Sequence, residues 1–397
     1  MVSMIAHAEL IALLEARLGE HYVAPPHVSA VDLIVSDCTD ASRRFTFGPR
    51  IESMPIPLDG MHRAAARITL SRALLSAMLD DPTGFDPRSA AAMTLGGVRI
   101  DGAERLAAYW LQLLKRPSAV ARMALERARR RAPEALATVP ALQAGGCDGK
   151  YLHAALADTL DASVPLVLRG MLNWPEVDWT LDDWRMQEGA TVLRADPSSG
   201  LPQTVADFID GFSADHAPAA GAANYTEGCL LPPAWEARFS LPMLPPRMFG
   251  AGQLWFGRAS AASLVTRLHC DMANSFLAQI HGRKRVRLYA PAQEGAVYAL
   301  DAFNTYRPCR VDAAAPDLTR FPRFAGAPGV DLMLEPGDLL VIPTGWFHCV
   351  WALDHVLSIS RFADDESAAM LLDGTLSTSN TSNASNASST STTSRTA

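Results

Sequence analysis

From Gln253 onward the chain is a run of short apolar stretches, each cut off within a few residues by glycine or proline. Leu277-Ala278-Gln279-Ile280, Val286-Arg287-Leu288-Tyr289 and Leu339-Leu340-Val341-Ile342 are too short for helices and are rich in branched and aromatic residues. That rhythm demands a β-sandwich or β-barrel. Seven of the chain's eight tryptophans (Trp174, Trp179, Trp184, Trp235, Trp255, Trp346 and Trp351) lie from residue 151 on, which places the larger core in this half.

The first half reads differently. Leu10, Leu13, Leu14 and Leu18 recur at helical spacing, so residues 1–27 are expected to hold an amphipathic helix. Over 28–117, strands are expected at Val31–Val35, Arg43–Phe47, Ala65–Leu70 and Met93–Ile100. Helices are expected from Ser71 to Leu79 and from Asp101-Gly102 through Leu114. This order describes a small α+β unit. Residues 118–150 read as a helical linker. Its run Glu126-Arg127-Ala128-Arg129-Arg130-Arg131 suits a solvated helix face, and Gly145-Gly146 and Gly149 mark its end. Residues 367–397 are so rich in Ser, Thr and Asn that they are expected to stay disordered.

Composition excludes several classes. The net charge of −7 argues against a protein built to hold a nucleic-acid backbone. Six irregularly spaced cysteines in 397 residues make neither a disulfide framework nor a zinc-finger pattern. The N-terminus lacks the basic start of a signal peptide, and no uncharged run approaches bilayer length, so a cytoplasmic protein with no membrane span is expected. Of 35 basic residues only Lys115, Lys150 and Lys284 are lysines. Lys115 and Lys150 suit a helix end and a linker surface. Lys284 sits between arginines in a Gly-Arg-Lys-Arg turn.

The chemistry gathers in Thr266-Arg267-Leu268-His269-Cys270-Asp271. On a strand, His269 and Asp271 share one face, within reach of one metal ion. Gly345-Trp346-Phe347-His348 supplies a distant histidine that a barrel brings alongside. Two histidines and a carboxylate leave coordination positions open and form the ligand set of non-haem Fe(II) oxygenases. Cys270 and Cys349 fall on the opposite face by alternation and suit packing.

Phe276 to Pro291 reads as strand, glycine turn, strand. With Leu334 to His348 and the intervening Asp317-Leu318-Thr319-Arg320-Phe321-Pro322-Arg323-Phe324, it closely resembles the cupin-like JmjC family, over roughly 155–365. Its well-known members include asparaginyl hydroxylases of the kind that modify hypoxia-inducible factor. The resemblance implies that the α+β N-terminal unit is followed, over 151–366, by an all-β double-stranded β-helix (cupin/JmjC) domain with flanking helices. It implies Fe(II) held by His269, Asp271 and His348, and 2-oxoglutarate held by Lys284 and Thr266. Ser275 and Ser360 are further candidates for the cosubstrate. Thr266 lies three residues from His269, so strict alternation turns it away from the metal unless a bulge intervenes near Arg267-Leu268. Two positions depart from the family pattern: Arg267 stands where proline is frequent, and Cys270 where an aromatic is frequent.

The implied activity is a dioxygenase consuming O2 and 2-oxoglutarate and hydroxylating a protein or peptide side chain. Two alternatives stand beside it: a tailoring oxygenase for a small or apolar metabolite, and a non-catalytic lipid-binding or interaction module. Arg67-Ile68-Thr69-Leu70-Ser71 and Gly97-Val98-Arg99-Ile100-Asp101-Gly102 give residues 28–117 a weak similarity to the sterol-carrier-protein-like domain, which bears on both alternatives. JmjC relatives also demethylate histone lysines, but nothing here resembles a chromatin-reading domain, which argues against demethylation. Related hydroxylases often dimerise through helices outside the barrel, so a homodimer is one expected state.

Overall fold

The computed structural model describes residues 7–20, 22, 28–57, 64–82, 97–102, 104–195, 202–213, 225–226, 228–241, 244–257, 263–300 and 306–364. The Ser/Thr/Asn-rich tail and the first half of the strand expected over 93–100 lie outside these residues.

The first unit runs α1 (His7–Glu20), β1 (Ser29–Val35), β2 (Arg43–Phe47), β3 (Ile51–Met54), β4 (Ala66–Leu70), α2 (Arg72–Asp80), β5 (Arg99–Gly102) and α3 (Glu104–Leu113). Its sheet has the order β3-β2-β1-β4-β5, with β1 parallel to β4. Alternation sends Val31, Leu33 and Val35 to one face, where they bury against Leu10, Leu14, Leu18, Leu74 and Trp110 of the helices. Ser71 starts α2 by accepting from the Leu74 N–H at 3.0 Å. On the other face Asp32 is 2 % exposed and accepts two hydrogen bonds from Arg44, at 2.7 and 3.0 Å. Lys115, expected at the surface, is 2 % exposed just past α3.

Next come α4 (Ala119–Arg131), β6 (Ala141–Gln143) and α5 (Gly149–Ala162). Ser118 caps α4, and Ala121, Ala124 and Ala128 form its buried stripe. The segment expected as a helical linker is therefore more than a spacer, because β6 pairs in parallel with a barrel strand. Three residues are too few to show a period of two, so the sequence hid this strand.

The second half continues with β7 (Leu166–Arg169), α6 (Leu181–Glu188), β8 (Val192–Ala195), β9 (Pro202–Thr204), α7 (Val205–Ser213), β10 (Cys229–Leu230), α8 (Pro233–Arg238), β11 (Gln253–Gly257), β12 (Ser263–Asp271), β13 (Asn274–His281), β14 (Lys284–Tyr289), β15 (Tyr306–Pro308), β16 (Gly329–Leu334), β17 (Leu339–Ile342), β18 (Phe347–Ala352) and β19 (Val356–Ala363). Two sheets face each other, ordered β10-β11-β19-β13-β17-β7-β6 and β15-β12-β18-β14-β16. Val167, Leu277, Leu340 and Ile342 from the first meet Val286, Leu288, Leu334 and Val350 from the second and fill the interior. The outer face of the larger sheet packs under Trp184, Phe208, Trp235 and Phe239. The outer face of the smaller sheet, with Leu268, Cys270, Phe347 and Cys349, packs against Val297, Val311, Phe321 and Phe324. Cys270 and Cys349 are thus packing residues. This is the double-stranded β-helix with flanking helices that the sequence indicated. No described helix is long and apolar enough to cross a membrane.

Candidate active site

Antiparallel pairing of β12 with β18 sets His269 opposite His348, and Asp271 follows two residues on along the same face. The ligand atoms of His269, Asp271 and His348 all lie within 4.8 Å of one another. His269 Nε2 is 3.5 Å from one Asp271 carboxylate oxygen, and His348 Nε2 is 3.7 Å from the other. His269 Nδ1 lies 2.8 Å from the Arg267 carbonyl, and His348 Nδ1 lies 3.1 Å from the Trp346 carbonyl. A carbonyl only accepts, so each Nδ1 carries a proton and each Nε2 is the ring atom left facing the cluster. Burial, with the neighbouring His269, pulls the His348 pKa down to about 4, which keeps that ring neutral. Burial alone would raise the Asp271 carboxyl, but His269 outweighs it and holds the carboxyl below its usual value.

The backbone around the cluster is tightly determined. The Gly345 N–H donates to the Asp271 carbonyl at 3.0 Å, and the Trp346 indole donates to the Ser163 carbonyl at 2.8 Å. Gly345 has φ +83°, which favours glycine. The donor set fits one divalent ion. It has two imidazoles and one carboxylate, with side chains 7 to 15 % exposed. No further protein donor joins the cluster among the described residues.

The bulge that Thr266 requires is present. Between Leu264 and Thr266, and again between Thr266 and His269, β12 uses one more residue than β18. Thr266 therefore stands opposite Val350, and Val350 opposite Val286, one row beyond His269, His348 and Leu288. The next row pairs Ala352 with Lys284. Thr266 and Lys284 thus lie along the face that carries the metal cluster.

Lys284 is 2 % exposed. Burial pulls its pKa down to about 7, and no described carboxylate offsets this. Its position is fixed by the turn before it. Gly282 has φ +66°, and a Cβ there would sit 2.1 Å from the His355 carbonyl oxygen. The Gln279 amide donates to the carbonyls of His281 and Gly282, both at 2.7 Å, and Ser358 donates to Gln279 at 2.6 Å.

Ser275 and Ser360 are both 4 % exposed on the interior face of the larger sheet, opposite Ile342 and Leu277. The structure also shows two side chains that the sequence did not single out. The Lys284 Nζ lies 5.8 Å from the Tyr225 ring centroid, and the Tyr225 hydroxyl is buried with no hydrogen-bond partner. The Trp255 indole N–H is likewise buried and without a partner beside it. Burial pushes the Tyr225 hydroxyl pKa up, so it stays a donor. Tyr225 lies in a segment with no period, and Trp255 in the apolar stretch Leu254-Trp255-Phe256, where alternation assigns no face.

A barrel of this topology with a His-Asp-His cluster at one end of its interior and a buried lysine further along the same face defines a JmjC-type Fe(II)- and 2-oxoglutarate-dependent oxygenase domain. Residues 153–368 match the model of the cupin-like domain family, and the chain belongs to that family. It is 41% identical over 106 residues to lysine-specific demethylase 8 of Xenopus tropicalis, covering 27% of this chain and 23% of the relative. A protein of the same name from Danio rerio is 27% identical over 223 residues, 51% of this chain and 54% of the relative. tRNA wybutosine-synthesizing protein 5 of Danio rerio is 39% identical over 106 residues, 26% of this chain and 31% of the relative. The matches span between about a quarter and about half of these relatives' lengths.

Proposed function

We propose that the protein hydroxylates an unactivated C–H bond of a protein or peptide side chain, converting 2-oxoglutarate to succinate as it does so. One observation carries the reading: a tautomer-locked His-Asp-His cluster shares its face with a buried lysine that has no counter-charge among the described residues. In this reading His269, Asp271 and His348 hold Fe(II), which supplies the oxidising chemistry with O2 and 2-oxoglutarate.

The chain's own residues bind, orient and keep dry. Lys284 takes the distal carboxylate of 2-oxoglutarate. The incoming anion supplies the charge that burial withholds and returns the proton to the amine. The Thr266 and Tyr225 hydroxyls reach for the same carboxylate, and Ser275 and Ser360 line the opposite wall. Val286, Leu288 and Val350 exclude water between the lysine and the metal, which strengthens each charged contact. A side-chain substrate is supported by relatives named for lysine. The net charge of −7 stands against a nucleic-acid substrate.

The test is a screen of peptides and metabolites for succinate released only when substrate is present, with the Asp271→Ala variant as the blank. Peptide-dependent release supports the proposal. Release with metabolites alone moves the substrate to the small-molecule alternative, and release by the blank sinks the site.

A further inference from the structure

Helix α4 lies outside the family's matched region, which begins at residue 153, yet it touches the turn that holds the metal cluster. A Cβ built on Gly345 would stand 3.2 Å from Leu125 Cδ2 and 3.5 Å from Ala128 Cβ, both on α4. Gly345 binds the Asp271 carbonyl through its N–H and lies three residues before His348. Leu125 also packs against the cluster formed by Leu268, Cys270 and Phe347, which backs the two ligand strands. A second link runs beside it. Glu294 accepts from Arg129 of α4 at 3.1 Å and from Arg307 at 3.0 Å, and Arg307 is the strand partner of Cys270, the residue between the two β12 ligands. Between α4 and the barrel lies a cavity of about 370 Å³, lined among others by Leu125, Arg129, Glu294 and Gly345. The helix therefore rests directly on only part of the turn.

We propose that α4 is a positioning element of the metal centre, acting through Leu125 on the Gly345 turn and, more weakly, through Arg129 on Glu294. The proposal rests on the reading of His269, Asp271 and His348 as a metal site. The functional unit then begins near residue 118, with the nominal linker inside it. The ranking of the two links follows from exposure. The Arg129–Glu294 pair is 57 and 35 % exposed, a setting in which ion pairs contribute little. The Leu125 contact lies against buried backbone that a metal ligand depends on.

The test uses the full chain and Co(II) as a spectroscopic probe, titrated into wild type, Leu125→Ala, Leu125→Met, Arg129→Ala and Arg130→Ala. Thermal unfolding of each protein is recorded in parallel. Loss of support outside the ligands weakens a metal site by about tenfold or more. Leu125→Ala is therefore expected to raise the Co(II) Kd by about tenfold and to shift the visible ligand-field band. Leu125→Met, which conserves volume, restores both. Arg129→Ala gives a shift of about twofold. Arg130→Ala, whose partner is the exposed Glu126, changes nothing. If Leu125→Ala lowers the unfolding temperature but keeps the wild-type Kd and band, the helix is only structural and the proposal is wrong. If wild type itself binds no Co(II), the metal-site reading fails first.

Discussion

Asp32 and Lys284 are both charges withdrawn from water, one in each half of the chain, and each is 2 % exposed. Asp32 is answered within the sheet. Arg44 donates two hydrogen bonds to it, and an Arg67 guanidinium nitrogen lies 3.9 Å away. Among the described residues Lys284 has no such answer. Its Nζ lies 5.8 Å from the Tyr225 ring centroid, and burial alone moves its pKa. Burying an unpaired ion costs several kcal/mol, so a fold keeps one only where something else benefits. A satisfied buried pair is consistent with structure alone, whereas a buried lysine with no described counter-charge, beside the unpartnered Tyr225 hydroxyl, suits an anionic ligand.

That contrast predicts which property each substitution moves. The largest effect belongs to the metal cluster at the end of the Lys284 face: His269→Ala or Asp271→Ala should reduce substrate-dependent succinate formation to background, measured by succinate release. Next, Lys284→Met should weaken 2-oxoglutarate binding by roughly 100-fold or more while thermal stability holds or rises, because a desolvated charge is gone. Asp32→Asn should do the converse. It strands Arg44, lowers stability by about 3–5 kcal/mol in denaturant unfolding, and leaves 2-oxoglutarate affinity unchanged. If the two variants affect the same property, the comparison breaks.

The pH dependence sharpens it. With a folded pKa of about 7 and an unfolded value of 10.5, Lys284 is charged in both states below pH 7. Between those values the unfolded chain holds the extra proton, so stability of the ligand-free protein rises with pH, by at most about 1.4 kcal/mol per unit from this group. Over the same window binding must return the proton, so 2-oxoglutarate affinity falls toward tenfold per unit. Lys284→Met should flatten both slopes, read by unfolding and titration calorimetry at several pH values. The smallest effect is expected at Thr266→Val, about a fivefold loss of 2-oxoglutarate affinity from one hydrogen bond.

What the sequence showed followed from period and spacing. His-x-Asp at a spacing of two survives on any strand, and Arg43–Phe47 was read with the boundaries the structure has. Thr266 was legible only conditionally, because a bulge is a property of strand pairing and leaves no trace in a single strand. Tyr225 reaches Lys284, and Trp255 reaches Tyr225, only through long-range topology. The roles of β6 and α4 were hidden for the same reason. Three residues carry no period, and Ala128, where α4 sits close to Gly345, looks identical to an alanine of a solvated helix.

The central claim is that the His-Asp-His cluster and Lys284 form one site for Fe(II) and 2-oxoglutarate. It is tested most directly by adding both, without oxygen, to the 397-residue chain and following the visible charge-transfer absorbance that they give only when bound together. The account predicts a saturable band in wild type, its loss in Asp271→Ala, and a shift to much higher 2-oxoglutarate concentration in Lys284→Met. A wild-type protein with no band, or an Asp271→Ala variant with an undiminished one, would contradict it.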